Sequence, residues 1–139
     1  MQMDVEKALE QLNQFRKSTL METLGIEYTE IGGDYLVATM PVNSTVHQPI
    51  GILHGGATVA LAESVGSAAS FLFIDTEKFT VKGIEISANH LKSKKDGIVT
   101  AKASLVHKGR TTHLWQIAVT DEDGALISMC KITNIIISK

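Results

Sequence analysis

The segment from Gly55 to Phe73 limits the possible folds of this chain more than any other part of it. It reads GGATVALAESVGSAASFLF, and Glu63 is its only charged residue. A helix built from this segment is apolar on nearly every side, so it must be covered on most sides. The wider stretch from Pro49 to Ile74 is long enough to span a bilayer, but a carboxylate at bilayer depth is expensive. We therefore predict a helix in the core of a protein rather than a membrane span.

The residues around this helix indicate a single domain over residues 1–139, with an N-terminal helical segment over 1–24. Val5, Ala8, Leu9, Leu12 and Phe15 recur at helical spacing, which predicts an amphipathic helix from about Asp4 to Lys17. A short helical turn ending at Gly25 and a hairpin then follow. The predicted strands are Ile26 to Ile31, Tyr35 to Val42, Thr80 to Ser93, Ile98 to His107, Thr111 to Thr120 and Ala125 to Ile137.

The order of these elements is one helix, two strands, the apolar helix and then four strands. The economical way to cover an apolar helix with six strands is a curved antiparallel sheet wrapped around it. We therefore predict an α+β protein with the hotdog fold, in which the central helix is Gly55 to Phe73 and a long loop from Asn43 to His54 leads into it.

Charge and cysteine content exclude several classes of function. The 13 basic and 15 acidic residues give a net charge of −2, which gives no reason to expect nucleic acid or a membrane as partner. Cys130 is the only cysteine, and the five histidines lack metal-ligand spacing, so no metal and no cofactor are expected. The N-terminus from Met1 to Lys17 mixes charges and does not resemble a secretory signal, which favours a cytoplasmic protein.

Glu63 is the first candidate for catalysis. Its same-face neighbours in a helix are Val59, Ala60, Gly66 and Ser67, none of which can pair with a carboxylate. A glutamate on the surface would need a polar face, which this helix lacks. A buried and unpaired carboxylate is costly and often marks a functional site, so we expect Glu63 to be buried and catalytic.

The start of the helix is the second candidate. A helix N-terminus presents unpaired N–H groups, and Gly55 and Gly56 let a ligand approach the backbone closely. This arrangement suits a developing oxyanion. The alternatives are that the two glycines only turn the chain and that His54 makes a structural hydrogen bond beside the helix start.

Three stretches together resemble one family. HQPIGILHGGATVALAESVGS from His47 to Ser67, EISANHLKS from Glu85 to Ser93 and HKGRTTHLWQI from His107 to Ile117 are similar to hotdog acyl-CoA thioesterases of the 4-hydroxybenzoyl-CoA type. Within this family the chain resembles the subgroup that contains 1,4-dihydroxy-2-naphthoyl-CoA thioesterases and enterobactin-pathway proofreading thioesterases. The likeness extends from about Gly25 to the C-terminus.

The resemblance implies hydrolysis of an aryl- or acyl-CoA thioester, with an acyl-carrier protein as another possible donor. Glu63 would be the nucleophile or the general base, and Gln48 would hold the thioester or the attacking water. The Gly55 N–H would polarise the thioester carbonyl, with His54 supporting its orientation and Ser67 lying beside the acyl group.

The resemblance also implies a set of substrate-binding residues. Lysine and arginine in this set would suit the phosphates of CoA, although lysines also occur on ordinary sheet edges. The residues are Gly83, His90, Leu91, Lys92, Ser93, His107, Lys108, Gly109, Arg110, Thr111 and Thr112.

Two other functions compete with hydrolysis. A hotdog hydratase or dehydratase would use an Asp/His pair that is not found at matching positions. A non-catalytic acyl-CoA-binding or acyl-carrier-binding domain would gain nothing from an unpaired acid.

Helix geometry predicts a shared site. Gly55 and Glu63 are eight residues apart, which corresponds to about 12 Å of helical rise. Since one helix cannot bring both residues to one carbonyl, we expect a homodimer or homotetramer whose sites combine Glu63 of one chain with Gly55 of another.

Overall fold

The computed structural model describes residues 4–139, and its elements follow the predicted order. The helices are α1 (Val5–Gln14), α2 (Leu20–Leu24) and α3 (Gly55–Phe71), and a 3₁₀ turn covers Ser44–Val46. The strands are β1 (Glu27–Ile31), β2 (Tyr35–Val42), β3 (Phe79–His90), β4 (Gly97–Lys108), β5 (Thr112–Thr120) and β6 (Leu126–Ser138). Met1 to Met3 of the predicted N-terminal segment lie outside the described residues.

Element ends differ from the prediction by a few residues. Helix α1 begins after Asp4, whose side chain accepts a hydrogen bond from the Lys7 N–H, and it ends at Gln14 rather than Lys17. Helix α2 ends at Gly25, which has a φ of 72° and supplies the left-handed cap that a non-glycine residue rarely adopts. Helix α3 ends at Phe71 rather than Phe73.

The six strands form one curved antiparallel sheet in the order β1-β2-β4-β5-β6-β3. Helix α3 contacts strands β2 to β6 and contributes Leu61, Ala62 and Val65 to the core. The largest buried side chain of the sheet is Trp115, which is fully buried beneath this helix together with other apolar residues. The predicted hotdog architecture is therefore confirmed. Within residues 4–139, no helix has the length and apolar character needed to cross a membrane.

The two edges of the sheet differ. At the β1 edge, the Asn13 side chain donates to the Tyr28 carbonyl and accepts from the Tyr28 N–H, both at 2.9 Å, and Arg16 donates to the Ile26 carbonyl. At the other edge, no side chain of residues 4–139 caps the outer side of β3 in this way. Strand β3 is 12 residues long, and its Ile84 is 58% exposed. An uncapped edge of this length is a template for pairing with another strand.

Candidate active site

The start of α3 presents a backbone donor. The His54 side chain caps the helix, because its Nδ1 accepts the Gly56 N–H at 2.8 Å. The Gly55 N–H donates to no other group of residues 4–139. The structural role that we weighed for His54 is therefore present, and it leaves the Gly55 N–H as the donor available to a ligand.

Gln48 lies beside this donor. Both Gln48 and Gly55 line a cavity of about 250 Å³, together with Thr58, His90 and Leu91. The Gln48 Oε1 accepts the Ile50 N–H at 2.5 Å, so its Nε2 is the end that can serve a ligand. Since Nε2 can only donate, Gln48 is suited to a carbonyl oxygen.

His90 closes the same cavity, and its orientation is fixed. Its Nδ1 lies 3.0 Å from Ser128 Oγ, which donates to the Asn89 carbonyl. Ser128 therefore holds the ring from its Nδ1 side and leaves Nε2 directed at the start of α3. A Cβ on Gly55 would lie 2.8 Å from Nε2, so the packing of His90 requires glycine at this position.

Glu63 is placed differently from our expectation. Its side chain is exposed, so the prediction of a buried carboxylate is wrong for the single chain. Gly56, Val59, Ala60 and Ser67, on the same face of α3, are also exposed or only partly buried. This face is open because the sheet ends at β3 and no further strand within residues 4–139 covers it.

The carboxylate of Glu63 leans over strand β3. Its Oε1 lies 3.1 Å from the point that a Cβ on Gly83 would occupy. Asn134, the partner of Gly83 in the β3–β6 pair, approaches the same point with its Oδ1 at 3.6 Å. Asn134 is fully buried, and we did not predict it as a site residue. The sequence signal that could have identified Asn134 is its position as a single amide among the isoleucines of ITNIII.

Lys92, one of the two lysines in the predicted substrate-binding set, is already paired with a carboxylate, as is its neighbour Lys94. Lys92 lies 3.4 Å from Asp121, and Lys94 forms an ion pair with Glu122. Backbone N–H groups of Ala125 and Asp123, and then Lys92, hold the pKa of Asp121 below its usual range, with the Ala125 bond as the largest cause. A CoA phosphate at Lys92 would therefore compete with an existing carboxylate.

The β4–β5 turn supplies the remaining predicted substrate-binding residues. His107, Lys108, Arg110 and Thr111 are exposed there, and the Lys108 ammonium lies 5.0 Å from the centre of the Phe73 ring. The Thr111 carbonyl accepts the Ile136 N–H, which places the turn at the end of the sheet where Gly83 pairs with Asn134.

The candidate residues of one chain therefore form two groups. The Gly55 group consists of Gln48, His54, Gly55 and the segment His90 to Ser93. The Glu63 group consists of Glu63, Ser67, Gly83 and the turn from His107 to Thr112. Gly83 and His90 are seven residues apart on an extended strand, which corresponds to roughly 23 Å.

Comparison with known proteins identifies the chemistry. The family model described as Thioesterase superfamily matches residues 50–128, more than half of the chain. The 1,4-dihydroxy-2-naphthoyl-CoA hydrolase of Escherichia coli K12 is 43% identical over 93% of this chain and 94% of its own length. The proofreading thioesterase EntH of Cronobacter turicensis is 47% identical over 84% of each chain.

A solved structure agrees with these relatives. The crystal structure of a mutant of thioesterase PA1618 from Pseudomonas aeruginosa superimposes with a TM-score of 0.93, at 44% identity and over 94% of each chain. The predictions of a hotdog thioesterase and of an enzyme that hydrolyses thioesters are confirmed, and the hydratase and non-catalytic alternatives are not supported. With its fold, its motifs and its relatives in agreement, this chain belongs to the thioesterase superfamily.

Proposed function

We propose that this thioesterase hydrolyses aryl- or acyl-CoA thioesters at sites that two copies of the chain build together. The observation that carries the proposal is the separation of the Gly55 group from the Glu63 group along β3. A carbonyl donor and a catalytic carboxylate must both lie roughly 3 Å from the reacting atoms. One chain offers them at two different places.

Pairing of β3 with β3 of a second chain brings the two groups together. Two copies of one strand that pair antiparallel across a two-fold axis place early residues of one beside late residues of the other. An axis near Ile86 and Ser87 would set Gly83 opposite His90 of the partner subunit. The same pairing would use the uncapped edge of β3 and cover the open face of α3 beside Glu63.

The proposed chemistry assigns each group a task. The Gly55 N–H and the Gln48 Nε2 donate to the thioester oxygen and stabilise the charge that develops on it. Glu63 of the other chain acts on the far side of the carbonyl carbon. It either attacks that carbon and forms an anhydride, or removes a proton from a water that attacks it. In the first route the C–S bond breaks as the anhydride forms, and water then hydrolyses the anhydride. In the second route the C–S bond breaks after water has added to the carbonyl carbon. Both routes release a carboxylate and free CoA.

Substrate specificity has two parts, recognition of the CoA phosphates and recognition of the acyl group. Lys108 and Arg110 are exposed on the β4–β5 turn and suit the phosphates of CoA, whereas Lys92 would have to leave Asp121. The relatives named for naphthoyl-CoA hydrolysis and for proofreading make aromatic acyl groups the first to test. Release of thiol from benzoyl, hydroxynaphthoyl, phenylacetyl and medium-chain acyl donors, each on CoA and on acyl-carrier protein, defines the substrate.

Mixed dimers test the shared site. Glu63→Gln and Gly55→Val should each inactivate the pure enzyme, the second because its side chain meets His90. After the two proteins exchange subunits, a mixed dimer holds one site with both Glu63 and Gly55 intact, so activity should return to up to about half of the parent value per mixed dimer. Exchange demonstrated by mass spectrometry without any return of activity would contradict the shared site.

A further inference from the structure

Asn134 is a buried amide with one unsatisfied atom. Its side chain lies on the inner face of β6, where Nδ2 donates to the Gly66 carbonyl at 3.0 Å and to Ser70 Oγ at 2.8 Å. Its Oδ1 has no hydrogen-bond partner among residues 4–139. An unpaired buried acceptor is destabilising, so its presence calls for a physical explanation.

Rotation of the Asn134 amide, which would exchange Oδ1 and Nδ2, does not remove the unpaired acceptor. Gly66 offers a carbonyl, which accepts but cannot donate, so it requires the Nδ2 end. Ser70 Oγ accepts from Trp115 Nε1 at 2.8 Å as well as from Asn134, and its own proton is then left for His113 Nδ1 at 3.0 Å. The network of these residues therefore holds Oδ1 on the side of Gly83.

Both Oδ1 and the candidate catalytic carboxylate approach Gly83. Gly83 has no side chain, and the point where its Cβ would lie is 3.6 Å from Asn134 Oδ1 and 3.1 Å from Glu63 Oε1. Two acceptor oxygens that share such a space can form a hydrogen bond only when one carries a proton. An amide oxygen does not carry one at neutral pH, whereas a carboxyl group can.

We propose that Asn134 is a positioning residue that accepts a hydrogen bond from Glu63 after Glu63 has taken a proton from the attacking water. The proposal rests on the thioester hydrolysis described above. The water oxygen bonds to the carbonyl carbon as its proton moves to Glu63, and the C–S bond then breaks. The proton passes from Glu63 to the leaving sulfur, which gives a carboxylic acid and the thiol of CoA.

This role favours the water route over the anhydride route. In the anhydride route, the Glu63 oxygen bonds to the acyl carbon and carries no proton while it attacks, so an acceptor beside it brings no benefit. In the water route, Oδ1 holds the protonated carboxyl in place between the two proton transfers. The locked orientation of Asn134 is useful only in the second case.

Kinetics of Asn134 variants test the proposal. Asn134→Leu keeps the approximate shape but removes the acceptor, and Asn134→Ser keeps a hydroxyl for α3 without the amide oxygen. We expect both variants to lower kcat at least about tenfold and to change KM less than about threefold. The expected loss in kcat is smaller than the whole contribution of a general base, because Glu63 itself is still present. Trp115→Phe is the matched control, because it weakens the same network at Ser70 but leaves Oδ1 in place, and its kcat should stay within about threefold of the parent.

A thermal cycle tests the contact without any activity measurement. Glu63→Gln replaces the carboxylate by an amide whose N–H can donate to Oδ1, so it should raise Tm by about 3 °C. The same substitution in the Asn134→Leu background should give no such gain. This cycle remains informative if one kinetic variant is poorly active for other reasons.

Two outcomes would overturn the proposal. One is a kcat within about threefold of the parent in both Asn134 variants, and the other is an equal Tm gain from Glu63→Gln with and without Asn134. Absence of thioester hydrolysis by the parent protein would instead contradict the proposed function, so the two failures can be told apart.

Discussion

At the scale of single residues, the site depends on side chains whose hydrogen bonds leave them one possible role. The Ile50 N–H occupies the oxygen of Gln48, and Ser128 holds the ring of His90 from its Nδ1 side. Asn134 is fixed in the same way by Gly66 and Ser70. Orientation that is set before the substrate arrives does not have to be established during the reaction, which is how an enzyme stabilises a transition state by preorganisation.

Gln48→Ala tests the donor role of Gln48. If its Nε2 stabilises charge that develops only in the transition state, the substitution should lower kcat by about 10²-fold or more while KM changes little. Steady-state kinetics with one acyl-CoA substrate measure both constants. A rise in KM alone would instead mean that Gln48 binds substrate and transition state equally well.

His113 makes folding depend on pH. Its side chain is 2% exposed, and burial lowers its pKa below the ordinary value of 6.5, with smaller contributions from Lys108 and His107. Below pH 6.5 the unfolded chain takes up a proton that the folded chain resists, so this residue makes stability fall as pH falls. Urea unfolding at pH 7.5 and 5.5 should show a larger loss of stability for the parent than for His113→Gln. Equal losses would contradict this role of His113.

At the scale of secondary structure elements, the start of α3 and strand β3 each meet two requirements. The first turn of α3 must be capped, which His54 does, and it must still leave the Gly55 N–H available. Strand β3 must pair with β6 on one side while Gly83 makes room for Glu63. A Cβ would lie 2.8 Å from His90 Nε2 at the first place and 3.1 Å from Glu63 Oε1 at the second, so glycine leaves room for a side chain at both.

Gly55→Ala tests the packing at the helix start. The new Cβ would lie 2.8 Å from His90 Nε2, and the ring is held by Ser128, so the substitution should displace one of them and reduce activity by about tenfold or more. Gly33→Ala is the matched control, because a Cβ at Gly33 meets no atom within 4 Å. Similar activity for the two variants would show that the contact with His90 is unimportant.

At the scale of the whole molecule, the single chain is an incomplete enzyme in our proposal. One sheet edge is closed by Asn13 of α1 and by Arg16 just after this helix, whereas the edge formed by the 12-residue strand β3 exposes Ile84. The face of α3 that carries Glu63 is open at the same edge. A second chain that pairs at this edge would cover both, which explains why so apolar a helix can belong to so short a chain.

Dimer dependence is tested by placing a charge at the edge. Ile84→Lys should weaken the pairing, since a charged side chain on an edge strand disfavours strand addition. We expect a smaller species in sedimentation, together with activity per chain that falls on dilution more steeply than in the parent. Val106→Lys is the control, because Val106 is 55% exposed on β4, away from the β3 edge. A monomer that keeps full activity would contradict the shared site.

The sequence by itself determined the elements and the chemical class. Local patterns are sufficient for this, because the period of apolar residues, the turn glycines and the motif around Glu63 are all contiguous in the chain. For the same reason Glu63, Gln48, Gly55 and His90 could be selected as candidates from their sequence motifs alone. The spacing of Gly55 and Glu63 on one helix also predicted that one chain holds them apart, whereas the cytoplasmic location remains a prediction.

Only the tertiary structure decided how those residues are arranged. Sheet order places β3 at the edge and β6 beside it, so it exposes Glu63, which we expected to be buried, and sets Asn134 against Gly83. It also pairs Lys92 with Asp121, which lies 29 residues later in the chain. Contacts between residues so far apart depend on which strands become neighbours, and this is fixed by the packing of the whole sheet around α3 rather than by any local stretch of sequence.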